Sequence, residues 1–181
     1  MKGIILSEFV EFLEQHAGED AAQQIIDQCQ LASDGAYSRV GLYDYHELIQ
    51  LLTESVSETG ASAEEMLDGF SNHLFAVFKR DYGVFFEGIG NAAQMLMQID
   101  NHIHVEVEKL YPDAELPRFD YRQDGANLIL NYQSPRPLAL VAKALVSACL
   151  KYFGDQEVLT AYTLSEDLKS AEFVIQMAAA S

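Results

Sequence analysis

Tyr132-Gln-Ser134-Pro-Arg136 sets two hydroxyls and a guanidinium on alternate positions of five residues. Side chains two apart on an extended chain share a face, so these donors can converge on one carboxylate. Twenty-eight residues before Tyr132 stands His104, in His104-Val-Glu-Val-Glu-Lys-Leu-Tyr111-Pro112, with Pro117 following. A neutral imidazole is a ligand for iron, and a Tyr-x-Ser-x-Arg run suits the propionates of a haem. Together these residues look like a haem site. The local pattern does not choose between His104 and His102, which fall on opposite flanks of one apolar helical stripe. His16, His46 and His73 read as ordinary solvated or core histidines.

The elements that must position these groups follow from periodicity. Ile4, Ile5, Phe9, Phe12 and Leu13 give a helical face over residues 4 to 16, stopped by Gly18. A second helix starts at Asp20, and a third, capped by Asp44 and carrying Leu48, Leu51, Leu52 and Val56, ends at Gly60. Ser62-Ala-Glu-Glu65 is a capping box ahead of Met66, Phe70, Leu74, Phe75 and Phe78. A helix is expected over residues 84 to 111, its stripe running Ala92, Leu96, Ile99, Ile103, Val107, Leu110. Beyond Pro112 the period becomes 2, with a hairpin turning at Asp124-Gly125. A helix over 137 to 153 and two late strands complete an antiparallel meander, giving an α+β fold.

The chain of 181 residues suits one domain with room for a haem-sized pocket. With 28 acidic against 11 basic residues and a net charge of −17, it should repel nucleic acid and anionic membranes and prefer basic partners. Cys29 and Cys149 are too far apart in sequence and too few for a disulfide framework or a four-ligand zinc site, so a reducing cytoplasm is expected. No long apolar run suggests a membrane span or signal peptide.

Residue types and spacings together resemble the haem-nitric oxide/oxygen-binding (H-NOX) family, relatives of the haem domain of soluble guanylate cyclase. The likeness runs from Met1-Lys-Gly-Ile-Ile5 through Phe70-x-x-x-Leu-Phe-x-x-Phe78 and Asp81-Tyr-Gly83 to the last strands. It selects His104 as ligand, seven residues before Tyr111 and thirteen before Pro117. It implies a helical distal lobe over residues 1–60 and a proximal lobe over 61–181, enclosing haem b. It further implies that Tyr132, Ser134 and Arg136 clamp the propionates, and that Ile5 and Pro117 press on the porphyrin. Phe9, Leu74, Phe78, Val141 and Leu145 are expected to line the pocket.

Oxygen-holding members resemble one another in a distal tyrosine with a polar neighbour. Here the corresponding places hold Phe9, Leu74 and Leu140-Val141-Ala142, the chain has no Trp, and Tyr152 is about four turns from Arg136. The resemblance therefore implies a sensor of nitric oxide and carbon monoxide that excludes oxygen, with no activity of its own. When the bond to His104 yields, the helical lobe is expected to shift. Output would pass to a separate histidine kinase or cyclic-di-GMP synthase or phosphodiesterase. The rival readings are a haem enzyme such as a peroxidase, which would want a distal His or Arg, and an acidic adaptor without haem.

Overall fold

The computed structural model describes residues 1–154 and 156–178. The chain divides into two compact units, Met1–Ala76 and Val77–Ser181.

The first unit is helical: α1 (Gly3–Ala17), α2 (Glu19–Gln28), α3 (His46–Thr59) and the larger part of α4 (Ala63–Asp81). The expected stops operate. Gly18 ends α1, and Gly60 ends α3 in the left-handed region at φ 71°, its N–H bonded to the Val56 carbonyl. The Ser62–Glu65 box forms as expected: Ser62 N donates to Glu65 Oε2 at 2.8 Å and Glu65 N to Ser62 Oγ at 3.2 Å. Ser62 N and Ser62 Oγ, each donating to Glu65 Oε2 at 2.8 Å, hold the Glu65 carboxyl below its ordinary range. The core is Leu6, Phe9, Leu13, Ile25, Leu48, Leu51, Phe70 and Leu74, with Phe9 edge-on to Phe70 at 4.8 Å.

In the second unit the expected single helix over 84 to 111 is broken into four pieces. A 3-10 turn (Gly83–Phe86), α5 (Ala92–Met97), a π turn (Ile99–Ile103) and α6 (His104–Leu110) take its place. Gly88, at φ 74°, leaves the helical region, and Asn91 caps α5 by accepting from Gln94 N at 2.8 Å. The chain thus restarts where continuous periodicity implied no break. Leu110, expected on the buried stripe, is 58% exposed.

Strands β1 (Arg118–Asp124) and β2 (Asn127–Gln133) form the expected hairpin. After α7 (Ala139–Phe153) come β3 (Val158–Leu164) and β4 (Ser170–Gln176), but the sheet order is β1-β2-β4-β3 rather than a simple meander. The reason is apolar content. Ala171, Phe173 and Ile175 of β4 are buried and pair with Tyr132, Leu130 and Leu128, whereas β3 is largely exposed and takes the edge. Among the described residues no helix is long and apolar enough to cross a membrane.

Candidate functional site

Immediately before His104 the backbone widens by one residue. The Gln98 carbonyl accepts both His102 N at 3.0 Å and Ile103 N at 3.1 Å, the four- and five-residue bonds of a π turn. His104 then opens α6. Its side chain is 16% exposed, and its Nδ1 is 3.2 Å from Asp100 Oδ1. The same oxygen accepts Phe119 N of β1 at 3.2 Å. Burial pushes the His104 imidazole below its ordinary pKa, opposed by Asp100, Glu108 and the Pro117 carbonyl. A neutral ring with Nδ1 engaged keeps Nε2 as a metal-ligand atom. His102, by contrast, is exposed and lies edge-on to Phe85 at 6.2 Å, so the two histidines that periodicity leaves equivalent have different surroundings.

The three donors at the end of β2 come together. Tyr132 is 3% exposed; burial raises its phenol pKa, offset in part by a hydrogen bond with Ser134 and the Arg136 charge. Ser134 Oγ accepts Arg136 N at 3.1 Å. The Arg136 side chain is buried and donates one terminal N–H to the Glu115 carbonyl, while its Nε has no hydrogen-bond partner among the described residues. A buried guanidinium N–H without an acceptor calls for an anion. The Phe119 ring lies between the imidazole and the donors of β2, 5.9 Å from His104 and 5.4 Å from Tyr132. Pro117, half-buried, sits in the link from α6 to β1. A cavity of about 420 Å³ lined by Arg118, Gln133, Ser134, Pro135, Lys169 and Ser170 with Leu116 shares only Ser134 with this arrangement. Arg118, Gln133 and Ser170 are in register with one another and alternate with Phe119, Tyr132 and Ala171, so they occupy the opposite face of the sheet.

Of the expected pocket residues, Ile5 (half-buried) and Phe9 lie on α1, with Leu74 on α4, all in the first unit; Phe9 and Leu74 are fully buried. Phe78, Val141 and Leu145 belong to the second and are half-buried. Tyr152 is 44% exposed against Phe86 at 5.8 Å. Periodicity did not single out three features. Asp100 is one. Ser71, one turn from Leu74, is another: its fully buried Oγ has no partner among the described residues. The third is Glu8, whose buried carboxylate accepts from Arg39 and pairs with His73 Nε2 at 3.0 Å, a charge cluster that the flanking apolar residues hid.

The haem-NO-binding family model matches residues 2–160. The chain belongs to the haem-NO-binding family. Solved H-NOX structures extend the likeness to the fold. The Fe(II) unliganded H-NOX protein from K. algicida is 32% identical over 97% of this chain and 96% of its own, with a TM-score of 0.87. The H-NOX from Shewanella woodyi, bound to IWP-051 in the Fe(II)CO state, is 30% identical over 98% and 95%, at 0.80. The S. oneidensis H-NOX protein in the Fe(II)NO state is 20% identical over 99% and 100%, at 0.81, and supports the fold alone. No curated protein sequence matches the chain. H-NOX domains bind haem and are gas sensors rather than enzymes. The donor set in the second unit fits that cofactor: a buried imidazole with one nitrogen engaged, and a buried guanidinium N–H lacking an acceptor.

Proposed function

We propose that this protein senses nitric oxide, and also takes carbon monoxide, through a ferrous haem b that His104 would ligate and that Tyr132, Ser134 and Arg136 would anchor. The observation that carries the gas selectivity is residue chemistry: Ile5, Phe9, Leu74, Phe78, Val141 and Leu145, the residues expected to face the haem, are all apolar. Glu8 and His73, the polar chain neighbours of Phe9 and Leu74, are paired with each other, and Glu8 also with Arg39. Bound haem supplies a ferrous iron able to take a diatomic gas. Oxygen, which would gain partial negative charge there, would need a hydrogen-bond donor, and nitric oxide, nearly neutral, would not. Ile5 and Pro117 would press on the porphyrin, and His104 would hold the iron through a bond able to weaken when a gas binds. The readout belongs to a separate protein, a histidine kinase or a cyclic-di-GMP enzyme, met in the cytoplasm.

Absorption spectra of the reduced protein under argon, air, carbon monoxide and nitric oxide test this. The spectrum under air should match that under argon, while each of the other gases shifts the Soret band. A stable, distinct spectrum under air would overturn the selectivity, with Ser71 the first donor to suspect. His104→Ala should lose haem or retain it only with added imidazole, and His102→Ala should change little; the reverse would overturn the ligand assignment. Val141→Tyr should introduce oxygen affinity.

A further inference from the structure

One carboxylate oxygen, Asp100 Oδ1, serves two donors from different elements, His104 Nδ1 of α6 and Phe119 N of β1, each at 3.2 Å. The π turn makes the arrangement possible. Its extra residue lies between Gln98 and His104, and Asp100 sits inside it, where the wider ladder turns the carboxylate toward the ring and the strand together. Asp100 is 37% exposed, so the contact is not forced by packing, and sequence alone gives an ordinary i,i+4 acid–histidine pair with no hint of the strand amide.

We propose that Asp100 is the positioning residue of the axial imidazole: by taking the Nδ1 proton it fixes the tautomer, aims Nε2 at the iron and strengthens the ring as an electron donor. This rests on the reading of His104 as the ligand. A carboxylate behind a ligating imidazole raises its basicity, and such partners tune affinity by about 10–100-fold. Two consequences follow. The carboxylate strengthens the bond that nitric oxide must weaken, so it sets the threshold of the sensor. Because the same oxygen holds Phe119 N, and the Phe119 ring touches both His104 and Tyr132, a change at the imidazole is felt at β1 and at the clamp.

The test uses Asp100→Asn, which can still accept from both donors but is neutral, and Asp100→Ala, which cannot. Resonance Raman spectra of the reduced proteins under argon should show the iron–histidine stretch falling from wild type to Asn to Ala. The Fe(III)/Fe(II) midpoint should rise in the same order, and haem transfer to apomyoglobin from the Ala variant should quicken by about 10–100-fold. Asp120→Asn, at a carboxylate bonded to Asn131, is the control and should leave all three unchanged. Stretch and midpoint unchanged in both Asp100 variants would overturn the proposal. A wild-type protein without a Soret band, or a His104→Ala variant keeping the same stretch, would instead overturn the ligand reading beneath it. Should the Ala variant fail to fold, the Asn variant decides. Wild type gives an independent reading: the His104 Nδ1 proton should exchange slowly with D2O in the hyperfine-shifted NMR spectrum, and exchange as fast as free imidazole would also overturn the proposal.

Discussion

Arg136 places a full positive charge in a buried position with only part of its donor set satisfied. One terminal N–H meets the Glu115 carbonyl and Nε meets nothing among the described residues, so on the proposed reading an incoming propionate would relieve a desolvated donor as well as add a contact. Charge-assisted bonds contribute about 1.5–3 kcal/mol, roughly ten- to hundredfold in a rate. Arg136→Ala should therefore lose haem to apomyoglobin about ten- to hundredfold faster than wild type and clearly faster than Ser134→Ala. Equal rates for the two variants would show that the charge does not dominate the clamp. Ser71 presents the opposite case, a buried hydroxyl with no hydrogen-bond partner among the described residues. Replacing it with Ala removes the unmet group and only one heavy atom. Ser71→Ala should stabilise the protein by about 1 kcal/mol, raising the melting midpoint by about 2–4 °C. A lower midpoint in calorimetry would mean that the hydroxyl has a partner.

How the elements deliver these residues was only partly written in periodicity. Stops and caps are local chemistry, so Gly18, Gly60 and the Ser62–Glu65 box could be read directly. The π turn could not. Apolar residues at Leu96, Ile99, Ile103 and Val107 keep helical spacing through it, so the sequence pattern carries no mark of the extra residue. Gly88-x-Gly90-Asn91 was a legible break that the same continuous stripe overrode. Sheet order was hidden for another reason: periodicity marks strands but not partners, and only the burial of β4 on pairing with β2 decides that β3 is the edge. The histidine proposed as ligand and the three donors proposed as clamp stand out by spacing and residue type, whereas Asp100 acquires its second donor only when β1 arrives. Gly60 offers a test at this scale. Nothing lies within 4 Å of an added Cβ there, so only the left-handed backbone matters. Gly60→Ala should destabilise the protein by about 1–2 kcal/mol and Gly60→Asn by less, since Asn tolerates that region. Equal losses in urea melts would point to a steric cause instead.

Across the whole molecule the dominant property is charge. Eleven Lys and Arg cannot pair one-to-one with 28 Asp and Glu, so at least 28 − 11 = 17 acidic groups lack a cation of their own. Some cations are moreover spent where they neutralise no surface charge, as Arg39 is on the buried Glu8. The remaining acids repel one another, and that repulsion favours the expanded chain. Salt acts on these terms unequally. The screening length falls from about 30 Å at 0.01 M to about 8 Å at 0.15 M, which removes repulsion between exposed acids while barely touching a buried pair. The melting midpoint should therefore rise as NaCl is raised from about 0.01 to 0.3 M at pH 7, and the rise should shrink toward pH 4.4, where the net charge disappears. A midpoint that falls with salt would mean that attractive pairs outweigh repulsion. Association with a signalling partner should respond with the opposite sign. A strongly acidic sensor is steered toward a basic surface at long range, so the on-rate for its partner should drop as the same salt series stabilises the fold, and an on-rate indifferent to salt would show that the acidic surface takes no part in recognition.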